Sequence, residues 1–413
     1  MSHQSPWRSR DFRLLLAGQT TAQFGAQVSG VAIPLLAVLT LHATAFELGL
    51  VSAAGTIAFA LIGLPAGAWL DRWRRRPVLV TADVARAVLL ASIPVGALTH
   101  TLTITQLVVV SLLTGVARVF FDVGYQSYLP TVIGRDTVLA GNSAMETARA
   151  GGQIVGPGLG GWLVTVVGAA NLVLLQAVTF AVSALALARI KTREAPAPGT
   201  RTRIREGLAF VLRTPLIRAT AITSAAGNFS FGMGSAVTVL FAIRTIGLSP
   251  AAFGVVIAVG SVTVMLGAAL TPRLARVFGS ARVVWLVPAA SGPLALLGAF
   301  AAPGWAVLLL LVGTAAGEFG QIVYAITNVS LRQRLCPDHL LGRVGATMRF
   351  LMMSLFPLGA LLGGVLGGLA GPRATLVVAF AVVAVSPLPV ALALRGIRDV
   401  EELSPFDPGS PRR

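Results

Sequence analysis

Long uninterrupted apolar runs constrain this chain more than any other feature. A helix that crosses the hydrocarbon core of a bilayer needs about 20 consecutive apolar residues. Twelve such runs follow one another, over 14–40, 47–70, 78–98, 104–125, 143–168, 170–189, 215–243, 249–271, 282–301, 304–329, 345–370 and 373–394. Hydrocarbon offers no hydrogen-bond partner to an open strand edge, so runs of this length predict helices. Hydrophobic residues make up 55% of the chain and charged residues only 11%, where soluble domains carry roughly 25% charged. The expected fold is an all-α membrane protein of twelve transmembrane helices.

Charge orients the spans. Apart from Arg244, Arg373 and Arg86, the 32 basic residues fall before the first span, after the last, or in the breaks between even and odd spans and the adjoining stretches of those spans. Arginine and lysine are retained on the cytoplasmic side, so both termini are expected in the cytoplasm and the chain in the cytoplasmic membrane. The net charge of +17 sits in short clusters rather than along one amphipathic face, which argues against nucleic acid as a partner. The polar segment Met1 to Arg13 precedes a run too long for a signal-peptide core and reads as the lead into a retained first helix. With one cysteine, Cys336, the chain has no internal disulfide framework.

A polar break, containing Glu194-Ala195-Pro196-Ala197-Pro198-Gly199-Thr200, separates two sets of six spans. The expected organisation is an N-terminal half (1–189), a flexible cytoplasmic linker (190–213), a C-terminal half (214–395) and a cytoplasmic tail (396–413). The halves echo one another at an offset of 200, with Gly67-Ala68 against Gly267-Ala268 and Arg76 against Arg276. Such internal pseudo-repeats are a transporter architecture.

Two motifs carry information beyond hydropathy. After the second span the chain reads Gly67-x-x-x-Asp71-Arg72-x-x-Arg75-Arg76. Glycine permits close approach of another helix, Asp71 can face a helix start, and the arginines suit headgroups or helix C-termini. The fifth span holds Gly152, Gly156, Pro157, Gly160 and Gly161. Glycines four apart expose backbone for tight packing, and Pro157 removes a backbone donor.

The loop motif and the two-half layout resemble the major facilitator superfamily over nearly the whole chain. In that family the loop gates the cytoplasmic side, a role that Thr271, standing where Asp71 would repeat, puts in doubt for the second copy. The fifth-span pattern resembles that of drug–proton antiporters. Leu129-Pro130, Asn142-Ser143 and Gly156-Pro157 are similar to the macrolide-efflux and siderophore-exporter branch. The resemblance implies secondary active export of small amphipathic molecules by alternating access, coupled to the proton gradient. It also implies that the first, fourth, seventh and tenth spans face the substrate cavity, and that Arg118 is the start of a fourth-helix basic motif. The residues after Arg118 depart from that motif, with Phe121 and Asp122 in its later places.

Ionisable residues within spans are costly and default to functional roles. Glu318, near the middle of the tenth span, is of the kind that can carry a proton at neutral pH; a structural hydrogen bond is the alternative. Gln321 and Tyr324 follow at spacings of three. Arg118 and Asp122, four apart, fit either proton coupling or a surface ion pair. Asp83 with Arg86, and Glu146 with Arg149, are expected as buried ion pairs. Gln19, Gln23 and Gln27 on the first span, with Asn228, Phe229 and Met233 on the seventh, are candidates for the cavity wall or for helix–helix contacts.

No Gly-x-x-x-x-Gly-Lys loop is present, so the sequence offers no site for direct ATP drive. The four histidines, His3, His42, His100 and His339, have no metal-ligand spacing. The expectation is a transporter rather than an enzyme, without cofactor or metal, whose partners are a small-molecule substrate and the lipid bilayer, functional as a monomer. An importer or uniporter of the same fold, and a non-transporting membrane sensor or assembly protein, are the rival readings.

Overall fold

A computed structural model of the chain describes residues 9–70, 72–133, 137–192 and 204–403. Among the described residues fifteen α-helices run in order: α1 (Arg10–Ser29), α2 (Ala32–Leu39), α3 (Ala45–Leu70), α4 (Arg75–Leu98), α5 (Ile104–Ile133), α6 (Val138–Val167), α7 (Ala169–Ala188), α8 (Ile204–Arg213), α9 (Pro215–Leu240), α10 (Pro250–Phe278), α11 (Ser280–Leu296), α12 (Val307–Leu335), α13 (Asp338–Leu369), α14 (Gly371–Val385) and α15 (Leu388–Ala393). Among the described residues there is no strand, and twelve helical spans are long and apolar enough to cross a membrane. The first combines α1 and α2, the last α14 and α15. Proline accounts for both breaks. Pro34 and Pro387 each lack the N–H that would bond the carbonyl one turn earlier.

Cα proximity divides the chain into two compact units, Met1–Thr200 with Ala242–Ala258, and Arg201–Phe241 with Val259–Arg413. In the first, α1 packs on α6 and α7, and α4 packs on α5 and α7. In the second, α9 packs on α13 and α14, and α11 packs on α12 and α14. Counted along each set of six spans, these are the same four pairings. Each unit also gathers its large apolar core at the end that holds its first helix start. Phe12, Leu15, Leu79, Tyr128 and Leu187 form one core; Ile217, Val284, Leu331, Val344 and Leu394 belong to the other.

Glycine lets the helices meet. Gly152, Gly156 and Gly160 of α6 lie four apart on one face and meet α1 at Phe24, Gln27 and Val28. A Cβ at Gly156 would stand 2.6 Å from Gln27 Cβ and 2.9 Å from the Gln27 carbonyl carbon. The next face of α6 carries Pro157 and Gly161, which meet Gly254 in the first turns of α10; a Cβ at Gly161 would lie 2.7 Å from Gly254 Cα. In the second unit Gly359 and Gly363 of α13 do for α9 what Gly156 and Gly160 do for α1. They rest against Phe229 and Met233 backbone, and a Cβ at Gly363 would lie 2.6 Å from Met233 Cα.

Two segments differ from the sequence reading. Part of the region expected as flexible linker is helix α8, tied to α13 by an ion pair between Glu206 and Arg343 and by Gly207 resting on the Arg343 carbonyl. Its Phe210 and Val211 are buried. The Pro-rich stretch Glu194 to Thr200 lies outside the described residues. The start of the tail is docked. Asp399 Oδ1 accepts from the Ser280 amide at 2.9 Å, and the Arg398 carbonyl accepts from Ala281 and Arg282 at 3.0 and 3.3 Å. These bonds satisfy the orphan amides at the start of α11. The Arg398 carbonyl occupies the space a Cβ at Gly279 would need, and Gly279 has φ +95°.

Asp399→Ala removes that cap and is expected to lower stability by about 1 kcal/mol, read as a lower unfolding temperature of the detergent-solubilised protein. The double variant Asp399→Ala/Ser280→Ala should cost less than the sum of the singles, because both residues belong to one set of bonds.

Candidate functional site

The tenth span, α12, is rich in small residues where it touches α11. Gly313 packs against Gly298, and Gly320 against Pro288 and Ser291. This packing fixes the rotation of α12 and turns Glu318 toward α10. There Gly260 leaves room for it: a Cβ at Gly260 would lie 3.3 Å from Glu318 Cγ and 3.1 Å from Thr314 Cγ2. Glu318 is half-buried. Among the described residues its carboxyl has no hydrogen-bond or ion-pair partner. A carboxyl that is held by its stem and open at its oxygens can exchange a proton or meet a ligand without first breaking a bond. Gln321, three residues on, is exposed.

Tyr324 does not join them. It is 9% exposed and serves as a strut between α12 and α9. Its hydroxyl donates to the Thr220 carbonyl at 2.8 Å and lies 3.1 Å from Ser224 Oγ, which also accepts from Asn328 Nδ2 at 3.3 Å. Sequence reasoning does not single out Ser224, Thr220 or Asn328. The available signal is Asn328, four residues after Tyr324 and so one turn along the same face. Met233 is likewise no wall residue, being 1% exposed where α9 meets Gly363 of α13. Asn228 donates to the Ser224 carbonyl of its own helix at 3.0 Å, and Phe229 is half-buried with its carbonyl against Gly359.

In the first unit the glutamine stripe separates. Gln19 is 5% exposed and donates to Ser183 Oγ of α7 at 3.2 Å, which makes it a helix–helix contact. Gln23 is exposed, and Gln27 packs on Gly152 and Gly156. Asp83 is fully buried and pairs with Arg86, itself 8% exposed. The Arg86 guanidinium is sandwiched between two rings, 4.4 Å from the centroid of Phe121 on α5 and 4.3 Å from that of Phe180 on α7. Removing one partner of a buried pair costs about 3–5 kcal/mol. A desolvated cation–π contact is worth about 2 kcal/mol, so the two rings offset much of the burden of burying the cation. Glu146 and Arg149 also pair, but with side chains 62% and 39% exposed rather than buried. Arg118 Nε lies 3.5 Å from Asp122 Oδ2 on α5, in a pair whose side chains are 70% and 39% exposed.

The loop motif is partly described. Asp71 lies outside the described residues. Arg76 donates from Nε to the Leu187 carbonyl at 3.1 Å and from its terminal nitrogen to the Ala188 carbonyl, closing the C-terminal end of α7. That is the helix-end role expected of these arginines. Arg72 is exposed and Arg75 half-buried. Among the described residues Gly67 has no neighbour within 4 Å of where a Cβ would stand, so it makes no close approach here. Its echo Gly267 does: a Cβ there would stand 2.5 Å from Ile322 Cγ2 and 3.3 Å from Phe319 Cδ2 of α12. An open apolar groove of about 760 Å³ between α9 and α14, lined by Ile222, Ala226, Val378 and Val382, holds none of the candidate residues.

Twelve spans in two similarly paired sets, with few ionisable groups inside, define a multi-pass membrane transporter. The sequence profile of the Major Facilitator Superfamily matches residues 15–357, and the chain belongs to that family. It is 30% identical to the multidrug efflux pump Tap of Mycolicibacterium fortuitum, over 88% of this chain and 90% of that one. With the enterobactin exporter EntS of Citrobacter koseri the identity is 27%, over 97% and 95% of the two chains. Among solved structures, a bacterial homologue of the iron transporter ferroportin in an inward-facing state superposes with a TM-score of 0.74 at 17% identity, covering 93% of this chain and 98% of that one. The nucleoside transporter NupG gives 0.69 at 14%, covering 94% and 99%. At such identities the structures establish the fold alone.

Tyr324→Phe, which deletes the strut's hydroxyl, should cost about 1 kcal/mol of stability and leave transport near the wild-type rate, as measured by thermal unfolding and vesicle uptake. Gly156→Leu forces a side chain into the α1–α6 contact. It should destabilise by about 1–3 kcal/mol or more, visible as loss of monodisperse protein on extraction. Gly151→Ala should be tolerated, because none of the described residues stands within 4 Å of the added Cβ.

Proposed function

We propose that this transporter exports small amphipathic molecules across the cytoplasmic membrane in exchange for protons, by alternating access, with both termini in the cytoplasm. The observation that carries the reading is Glu318, seated on the tenth span against Gly260 with its carboxyl unpaired among the described residues. Export is supported by the relatives, whose names are those of a multidrug efflux pump and an enterobactin exporter. The two-sided partition of arginines supports the orientation. Energetics allow a single coupling group. One charge moving through 100 mV is worth about 2.3 kcal/mol, which sustains a cargo gradient of about 50-fold. In the proposed cycle Glu318 takes a proton from the outer side and releases it to the cytoplasm as cargo leaves. Arg118, Asp122 and the Gly67-to-Arg76 loop would serve coupling and gating.

Inverted membrane vesicles test this through Glu318→Gln. The variant should lose accumulation driven by a pH gradient while keeping downhill exchange of cargo across the membrane. Proton-dependent accumulation at the wild-type level would remove Glu318 from the mechanism.

A further inference from the structure

The buried charges of the first unit are used by nothing described so far. Asp83 is fully buried on α4, with Oδ1 taken by Arg86 and Oδ2 lacking a hydrogen bond among the described residues. The Ser183 hydroxyl of α7 faces the carboxyl, and Ser183 in turn accepts from Gln19 of α1. Among the same residues Arg86 Nε is buried without a partner, and so is the hydroxyl of Tyr125, whose ring stacks on Phe121 with centroids 6.1 Å apart. Unsatisfied polar atoms in a well-packed helical unit require a reason.

We propose that Asp83, Arg86 and Ser183 form a second proton-binding site. The accepting atom is Asp83 Oδ2, buried and not held by a hydrogen bond. Protonation converts the Asp83–Arg86 ion pair into a neutral acid beside a cation, with the Ser183 hydroxyl against the same carboxyl. The cation is not stranded, because its guanidinium keeps both ring faces, Phe121 and Phe180, and the field of Asp122. Facing the pair, α5 presents Arg118 and Asp122; α7 presents Ser183, which holds Gln19 of α1, and neither Ser183 nor Gln19 titrates in water.

The repeat argues that this is more than a packing device. The corresponding helix of the second unit, α11, packs in the same pairings without any charged residue after Arg282. Its buried polar residue at the matching depth is Ser291. The architecture therefore does not require a buried ion pair at this place.

As a coupling site, Asp83 rests on the proton-driven reading above; as a proton-binding site, it does not. Infrared difference spectra of the purified full chain in lipid nanodiscs, recorded on acidification, read carboxyl protonation without any transport. The band of a protonated carboxylic acid should lose one component in Asp83→Asn and a different one in Glu318→Gln. Where Asp83→Asn does not yield folded protein, Asp83→Asn/Arg86→Met removes both charges and serves the same comparison. A spectrum identical to wild type in either Asp83 variant overturns the proposal. In liposomes, Asp83→Asn should lower the number of protons moved per cargo molecule. A missing band component with an unchanged proton ratio would keep the binding site and overturn its coupling role.

Discussion

A peptide group in hydrocarbon has no water to bond, and the helical architecture of this protein follows from that. Each span satisfies its backbone within its own helix. Most hydroxyls do likewise: Thr56, Thr114 and Thr263 donate to carbonyls one turn back on their own helices. Lipid tails remove the hydrophobic drive for helices to associate, so the helices must meet by close packing and a few polar contacts. Gly156 and Gly160 on α1, and Gly359 and Gly363 on α9, supply the first. Gln19 on Ser183 and Tyr324 on Thr220 supply the second.

Once those demands are met, very little polarity remains unexplained. Glu318 and the Asp83–Arg86 pair stand out because neither a helix end nor a neighbouring backbone accounts for them. They lie in different units. The first unit keeps its charge paired and sealed between aromatic rings, and the second keeps a single open carboxyl beside a glycine. The two copies of the loop motif diverge in the same way. Gly267 is packed against α12, whereas none of the described residues closes on Gly67.

The spans were legible because run length is a one-dimensional signal. The helices α5, α12 and α13 nonetheless extend past the apolar runs, since a helix does not end where the hydrocarbon does. Helix α8 is hidden in a polar segment whose Pro196, Pro198 and Gly199 lie just before it. Helix contacts are less legible than spans. Gln19, Gln23 and Gln27 look like one stripe, yet each step of four residues advances about 40° around a helix. By Gln27 the stripe has rotated from α7 to α6. The contact that Tyr324 makes escapes the sequence reading for a related reason: its distance from Glu318 along α12 gives no hint of Thr220 and Ser224 on another helix. The ring sandwich around Arg86 draws on three helices and has no sequence signature, whereas the Asp83–Arg86 spacing itself is readable.

Transport in purified liposomes bears most directly on proton-driven export. With protein reconstituted as the sole component, an imposed pH gradient should drive a fluorescent amphipathic substrate toward the acidic side, and collapsing the gradient with a protonophore should release it. A substrate distribution indifferent to the pH gradient, or movement in the same direction as the proton, would contradict exchange of cargo for protons.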